Sequence, residues 1–187
     1  MTNNLPTTIT WLRIALIPLF VIAFYLPVTW SGPAAAIIFS LAGITDWLDG
    51  YLARRLGQTS AFGAFLDPVA DKLIVITALF LLTGKDGTKL MAIASAIIVG
   101  REITVSALRE WMAELGQRHH VAVSNVGKYK TTFQIIAVIL MLWEQPLLFI
   151  QHTYLIGYYC LLFAAGLTLW SMAIYLRNAW PVLKNSG

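Results

Sequence analysis

Four aspartates, Asp46, Asp49, Asp67 and Asp71, stand in one short stretch of an otherwise apolar chain. Carboxylates beside membrane-length apolar segments are costly to keep, and they mark functional sites by default. The stretch reads Asp46-x-x-Asp49-Gly50-x-x-Ala53-Arg54, then eight residues, then Gly63-x-x-x-Asp67-x-x-x-Asp71. Helical spacing puts Asp46, Asp49, Gly50, Ala53 and Arg54 on one helix face, and Gly63, Asp67 and Asp71 on the face of another. Four carboxylates gathered there repel one another unless cations neutralise them. Oxygen-only donors suit hard divalent ions, Mg²⁺ or Mn²⁺, and a pair of such ions clamps a pyrophosphate and steadies both oxygens of an in-line displacement. The pattern therefore predicts a two-metal phosphotransfer site. Gly50, Ala53 and Gly63 remove side-chain bulk, which lets a nucleotide phosphate approach the backbone or lets helices pack closely. Buried ion pairs tying helices together are the structural alternative, but the four acids outnumber the nearby bases Arg54, Arg55 and Lys72.

The elements that must carry these residues are membrane helices. Of the 187 residues 58% are hydrophobic and only 12% charged, with a mean hydropathy of +0.72, far from soluble averages. A bilayer core about 30 Å thick takes roughly 20 apolar residues per helix. Apolar runs punctuated by turn signals predict spans over Ile9–Leu26, Pro33–Leu52, Ala64–Thr83, Leu90–Leu108, Thr131–Trp143 and Tyr154–Leu176. The expected fold is all-α, a polytopic six-transmembrane-helix bundle forming a single membrane domain over residues 1–187. Pro68 directly follows Asp67 and disfavours helical geometry there, so the third helix is expected to kink or begin at that point. The fifth span is short, and either extends through Pro146 with a kink or begins earlier near Val126. Arg13 interrupts the first apolar run and no basic stretch precedes it, which argues for a retained helix rather than a signal peptide.

Basic residues give the orientation. With both termini in the cytoplasm, eleven of the thirteen lysines and arginines fall on that side and only Lys85 and Lys89 lie opposite. The net charge of +4 is mostly this asymmetry, together with whatever anionic headgroups or substrates the inner face binds. It gives no support to nucleic-acid binding. Within the basic set, Arg101 and Arg109 are eight apart and share a face of the fourth helix, while Lys128 and Lys130 begin the fifth. They are candidates for a phosphate site, and topology anchoring is the competing reading. His119 and His120 are adjacent in a polar linker, without the spacing of a two-histidine metal site. Tryptophans near span ends, Trp30, Trp111, Trp143 and Trp180, fit an interfacial belt. A cation or proton transporter also carries intramembrane carboxylates, but its site belongs near the bilayer midplane, whereas these acids cluster at one end.

The complete pattern Asp-x2-Asp-Gly-x2-Ala-Arg-x8-Gly-x3-Asp-x3-Asp resembles that of the CDP-alcohol phosphatidyltransferases, without departure. Asn4–Arg13, Leu66–Lys72, Arg101–Glu110 and Val126–Thr132 are similar to members that make phosphatidylglycerophosphate. The resemblance implies a six-helix enzyme, usually a homodimer among membrane lipids, in a bacterial-type inner membrane with its active site facing the cytoplasm. It joins CDP-diacylglycerol to sn-glycerol 3-phosphate and releases CMP. By position, Asp46, Asp49, Asp67 and Asp71 would hold two divalent cations, and Asp71 would also deprotonate the acceptor hydroxyl. Thr10, Asp49, Gly50, Ala53, Arg54 and Gly63 would line the CDP-diacylglycerol pocket. Arg101, Arg109, Lys128 and Lys130 would serve glycerol phosphate, and Arg13 would either lie beside the nucleotide or snorkel to headgroups. A relative using inositol phosphate or phosphatidylglycerol as acceptor is the nearest alternative.

Overall fold

Backbone amides in apolar surroundings must find partners within the chain, and each long apolar stretch satisfies them as an α-helix. The computed structural model describes residues 5–56, 61–114, 125–147 and 150–185, and within them the side chains of 10–45, 66, 69–114, 130–147, 150–177 and 180. Six helices follow in order: α1 (Leu5–Tyr25), α2 (Ser31–Leu56), α3 (Ala61–Asp86), α4 (Lys89–Glu114), α5 (Asn125–Trp143) and α6 (Thr153–Asn185). The described residues contain no strand, only an isolated bridge between Leu147 and Ile150. The all-α expectation holds, and each helix overlaps its predicted span.

At two places the structure chooses between the expected alternatives, and α5 takes the earlier start near Val126. α3 runs from Ala61 through Pro68 to Asp86, so the helix does not begin at the proline. A proline deletes a single i to i−4 bond, and the turns on either side keep theirs. α5 begins at Asn125 and stops at Trp143, so it does not continue through Pro146. Its end is set by Glu144, whose φ of 56° leaves the helical region.

α4 as a whole and Thr153–Arg177 of α6 are long and apolar enough to cross a membrane, and Thr10–Tyr25, Ser31–Thr45 and Lys130–Trp143 are shorter apolar helices. The outer surface agrees. Large apolar side chains point outward along the bundle, among them Ile22, Ile37, Phe80, Ile93, Phe163 and Leu169. So continuous an apolar exterior suits hydrocarbon rather than water.

With lipid outside, burial of apolar surface gives little drive to pack helices, and close approach through small residues takes its place. Ala35, Ala36 and Ala42 of α2, Ala78 of α3, Ala94 of α4, Ala137 of α5 and Ala165 of α6 all lie in the core with Phe20, Phe39, Leu79, Met91 and Met141. α1 packs on α2 and α3, α5 on α6 and α2, and α4 on α6 and α3. α5 and α6 meet closely at Gly157, where a Cβ would sit 2.8 Å from the Ala137 carbonyl oxygen and 2.8 Å from Met141 Cγ. Gly157→Ala is therefore expected to push α5 from α6 and cost about 1–3 kcal/mol, as overpacking does. Gly166 on the same helix has nothing within 4 Å of such a Cβ, and Gly166→Ala serves as the neutral control. Thermal loss of the monodisperse protein in detergent checks the pair, and equal stabilities would show that the α5–α6 contact yields.

One end of the bundle is fastened by polar side chains. Gly87, with φ 68°, closes α3, and its N–H donates to the Thr83 carbonyl at 3.0 Å. Thr88 Oγ1 then caps α4 by accepting from the Met91 N–H at 3.2 Å. Across helices, Lys85 pairs with Glu144 at 2.6 Å, the Tyr154 hydroxyl donates to Asp86 Oδ2 at 2.5 Å, and Gln145 Nε2 donates to the Thr29 carbonyl at 2.5 Å. Asp71 lies fifteen residues before Asp86, and Lys130 fourteen before Glu144. At a rise of about 1.5 Å per residue both sit roughly 20 Å away, at the opposite end.

Candidate active site

At that opposite end the α2 backbone carries Asp46, Asp49, Gly50, Ala53 and Arg54, and α3 carries Gly63, Asp67 and Asp71. The helical intervals of the motif are thus kept in the backbone. Of these side chains only that of Asp71 lies among the described residues. Those of Asp46, Asp49, Gly50, Ala53, Arg54, Gly63, Asp67 and also Lys128 lie outside them, as do His119 and His120. Among the described residues no three acidic, histidine or cysteine side chains come together.

Asp71 is 40% exposed, and its Oδ1 accepts a hydrogen bond from Arg13 Nη1, reached across 58 residues of sequence. The Arg13 side chain is fully buried, as is Thr10 one turn earlier on α1. Arg13 therefore does not snorkel to the surface. A cation withdrawn from solvent needs a carboxylate, and α1 packs on α3 so that Asp71 supplies it. The donor chemistry fits a divalent ion: the motif offers only carboxylate oxygens, and Asp71 keeps part of its surface accessible while ion-paired.

The second cluster lies on α4, α5 and α6. Glu102 Oε1 accepts from Arg101 Nη1 at 3.1 Å and from Lys130 Nζ. Lys130 is fully buried and Arg101 nearly so. Arg109 Nη2 donates to the Tyr175 hydroxyl at 2.7 Å, and the Tyr175 ring centre lies 5.7 Å from Arg101 Cζ and 5.3 Å from Arg109 Cζ. The Nε atoms of both arginines are buried without a hydrogen-bond partner among the described residues. Arg101 and Lys130 thus share the Glu102 carboxylate while Arg109 is held by a phenol, so among the described residues this cluster carries two more cations than acids. Cations in such an excess, with donors to spare, are suited to receiving an anion.

The structure brings Arg101, Arg109 and Lys130 together and places Thr10 beside Arg13. Sequence spacing identifies Arg101 and Arg109 as neighbours on a face but gives no signal for Tyr175. Tyr175 lies in an apolar run of α6 with no motif around it. Trp111, expected in the interfacial belt, instead packs on the Tyr175 cluster, whereas Trp30 and Trp180 are exposed.

Comparison with known proteins bears on the same residues. The family model described as CDP-alcohol phosphatidyltransferase matches residues 3–174. A Pseudomonas fluorescens protein named CDP-diacylglycerol--glycerol-3-phosphate 3-phosphatidyltransferase is 53% identical over 185 residues, covering 98% of this chain and 94% of its own. A protein of the same name from Escherichia coli strain K12 is 51% identical over 179 residues, covering 96% of each chain, and one from Shigella flexneri serotype 5b is equally similar. The matched span includes the aspartate motif, the Arg13–Asp71 pair and most of the cationic cluster, and by this match the chain belongs to the CDP-alcohol phosphatidyltransferase family.

Proposed function

We propose that the protein transfers the phosphatidyl group of CDP-diacylglycerol to sn-glycerol 3-phosphate, giving phosphatidylglycerophosphate and CMP, a step of anionic phospholipid synthesis. The observation that carries the acceptor is the excess of two cations over acids in the α4–α6 cluster of described residues. A phosphate monoester carries about −1.5 to −2 charge at neutral pH, which balances it. A phosphodiester acceptor such as phosphatidylglycerol brings only one negative charge. The near full-length identity to relatives named for glycerol 3-phosphate supports the same reading.

Asp46, Asp49, Asp67 and Asp71 would hold two divalent ions, Mg²⁺ or Mn²⁺, which would supply positive charge to the donor pyrophosphate. Thr10, Asp49, Gly50, Ala53, Arg54 and Gly63 line the donor pocket. Arg101, Arg109, Lys128 and Lys130 seat the acceptor phosphate, which fixes its free hydroxyl against Asp71. The Asp71 carboxylate takes the hydroxyl proton, and the oxygen forms its bond to the β-phosphorus bearing diacylglycerol. The bond from that phosphorus to the bridging oxygen breaks, and CMP leaves. Arg13 orients Asp71 through its hydrogen bond to Oδ1. Positioning and charge supply most of the acceleration, since a single base contributes about 10²- to 10⁴-fold.

The enzyme is a six-span homodimer of a bacterial inner membrane, with both termini and the active site cytoplasmic. The asymmetry of lysine and arginine supports the orientation, and the family resemblance supports the dimer. CMP release from CDP-diacylglycerol with each acceptor tests the function. Release is expected with sn-glycerol 3-phosphate and not with inositol phosphate or phosphatidylglycerol, and the reverse preference would overturn the assignment.

A further inference from the structure

Resting on that acceptor site, we propose that Tyr175 is its positioning residue: ring and hydroxyl together hold Arg101 and Arg109 as two arms closing on one phosphate. The arginines are eight residues apart on α4, so their Cα atoms are separated by about 12 Å along the helix. Long side chains at that distance have many rotamers and no reason to converge. Tyr175 supplies the reason. Its ring centre stands 5.7 Å from one guanidinium carbon and 5.3 Å from the other, within the range of cation–π attraction. Its hydroxyl accepts from Arg109 Nη2 at 2.7 Å.

The ring itself is held. Tyr175 is 4% exposed and packs with Val105 and Met112, flanked by Leu108 and Trp111. These four belong to α4, so the tyrosine and the arginines it orients are locked to the same helix.

The choice of residue has a physical logic. A glutamate in this place would orient Arg109 equally well and cancel its charge. A phenol orients the guanidinium and leaves the charge for the ligand. Glu102 plays the opposite part on Arg101 and Lys130. Among the described residues, one carboxylate and one neutral phenol beside three cations leave a net positive charge that a phosphate monoester dianion would balance.

Steady-state kinetics of the full-length enzyme in detergent test this, with acceptor and donor varied in turn. Tyr175→Phe keeps the ring and removes the oxygen. It is expected to raise the KM for sn-glycerol 3-phosphate about tenfold, the size of one charge-assisted hydrogen bond, while the KM for CDP-diacylglycerol holds. In an Arg109→Ala background the same change should add less than about twofold, because the hydroxyl's partner is gone. A merely structural tyrosine would lower the active fraction, and hence turnover, with both KM values unmoved; that result overturns the proposal. Additive losses in the double variant overturn it as well. If Arg101→Ala and Arg109→Ala themselves leave the acceptor KM unchanged, the acceptor site has been misplaced. If they raise it and Tyr175→Phe does not, only the positioning role fails.

Discussion

Asp71→Asn is expected to lower turnover by about 10²- to 10⁴-fold while CDP-diacylglycerol still binds in the presence of metal. Asparagine keeps the size of the side chain and one acceptor oxygen but takes no proton, so the chemical step is lost before binding is. Asp46→Asn should behave differently, losing metal affinity and regaining activity as metal is raised. Excess chelator should silence the wild-type enzyme. Donor binding and turnover measured across a metal titration separate the two variants, and near wild-type turnover of Asp71→Asn at high metal would make Asp71 a ligand alone. The structure adds a second expectation. Arg13 is fully buried against Asp71, so neutralising the carboxylate weakens a buried ion pair. Because Asp71 is 40% exposed, the stability cost should be about 1–3 kcal/mol rather than that of a fully buried bridge.

The other large effect falls on the acceptor. Arg101→Ala should reduce the efficiency with sn-glycerol 3-phosphate about tenfold to a hundredfold, the equivalent of roughly 1.5–3 kcal/mol for one charge-assisted phosphate contact. Donor and metal dependence should hold. Arg101→Lys keeps the charge but replaces a planar fork by a point charge, and should recover only part of the loss. It should also lose the guanidinium face that meets Tyr175. Unchanged acceptor kinetics in Arg101→Ala would return the residue to the role of topology anchor.

The helical intervals of the aspartate motif are legible in the sequence because a helix face is a local property, and the α2 and α3 backbones keep them. Helix positions were legible for the same reason. α5 shows the limit: its first two turns are polar, with Lys128 and Lys130 on them, so an apolar count starts it late. Arg13–Asp71 shows a deeper one. Periodicity says which way a residue faces on its helix but not which helix lies opposite, and that is decided by where small residues such as Gly157 let backbones meet. Tyr175 carried no local signal at all, since a tyrosine among leucines and alanines reads as lipid-facing or core until α4 is packed against it.

The two clusters draw on different helices: Arg13 and Asp71 on α1 and α3, and the cationic group on α4, α5 and α6. The protein is in this sense a two-cassette machine. If the cationic cluster is the acceptor site, a chimera joining α1–α3 of this chain to α4–α6 of a relative with another acceptor should inherit its choice of alcohol from the C-terminal parent.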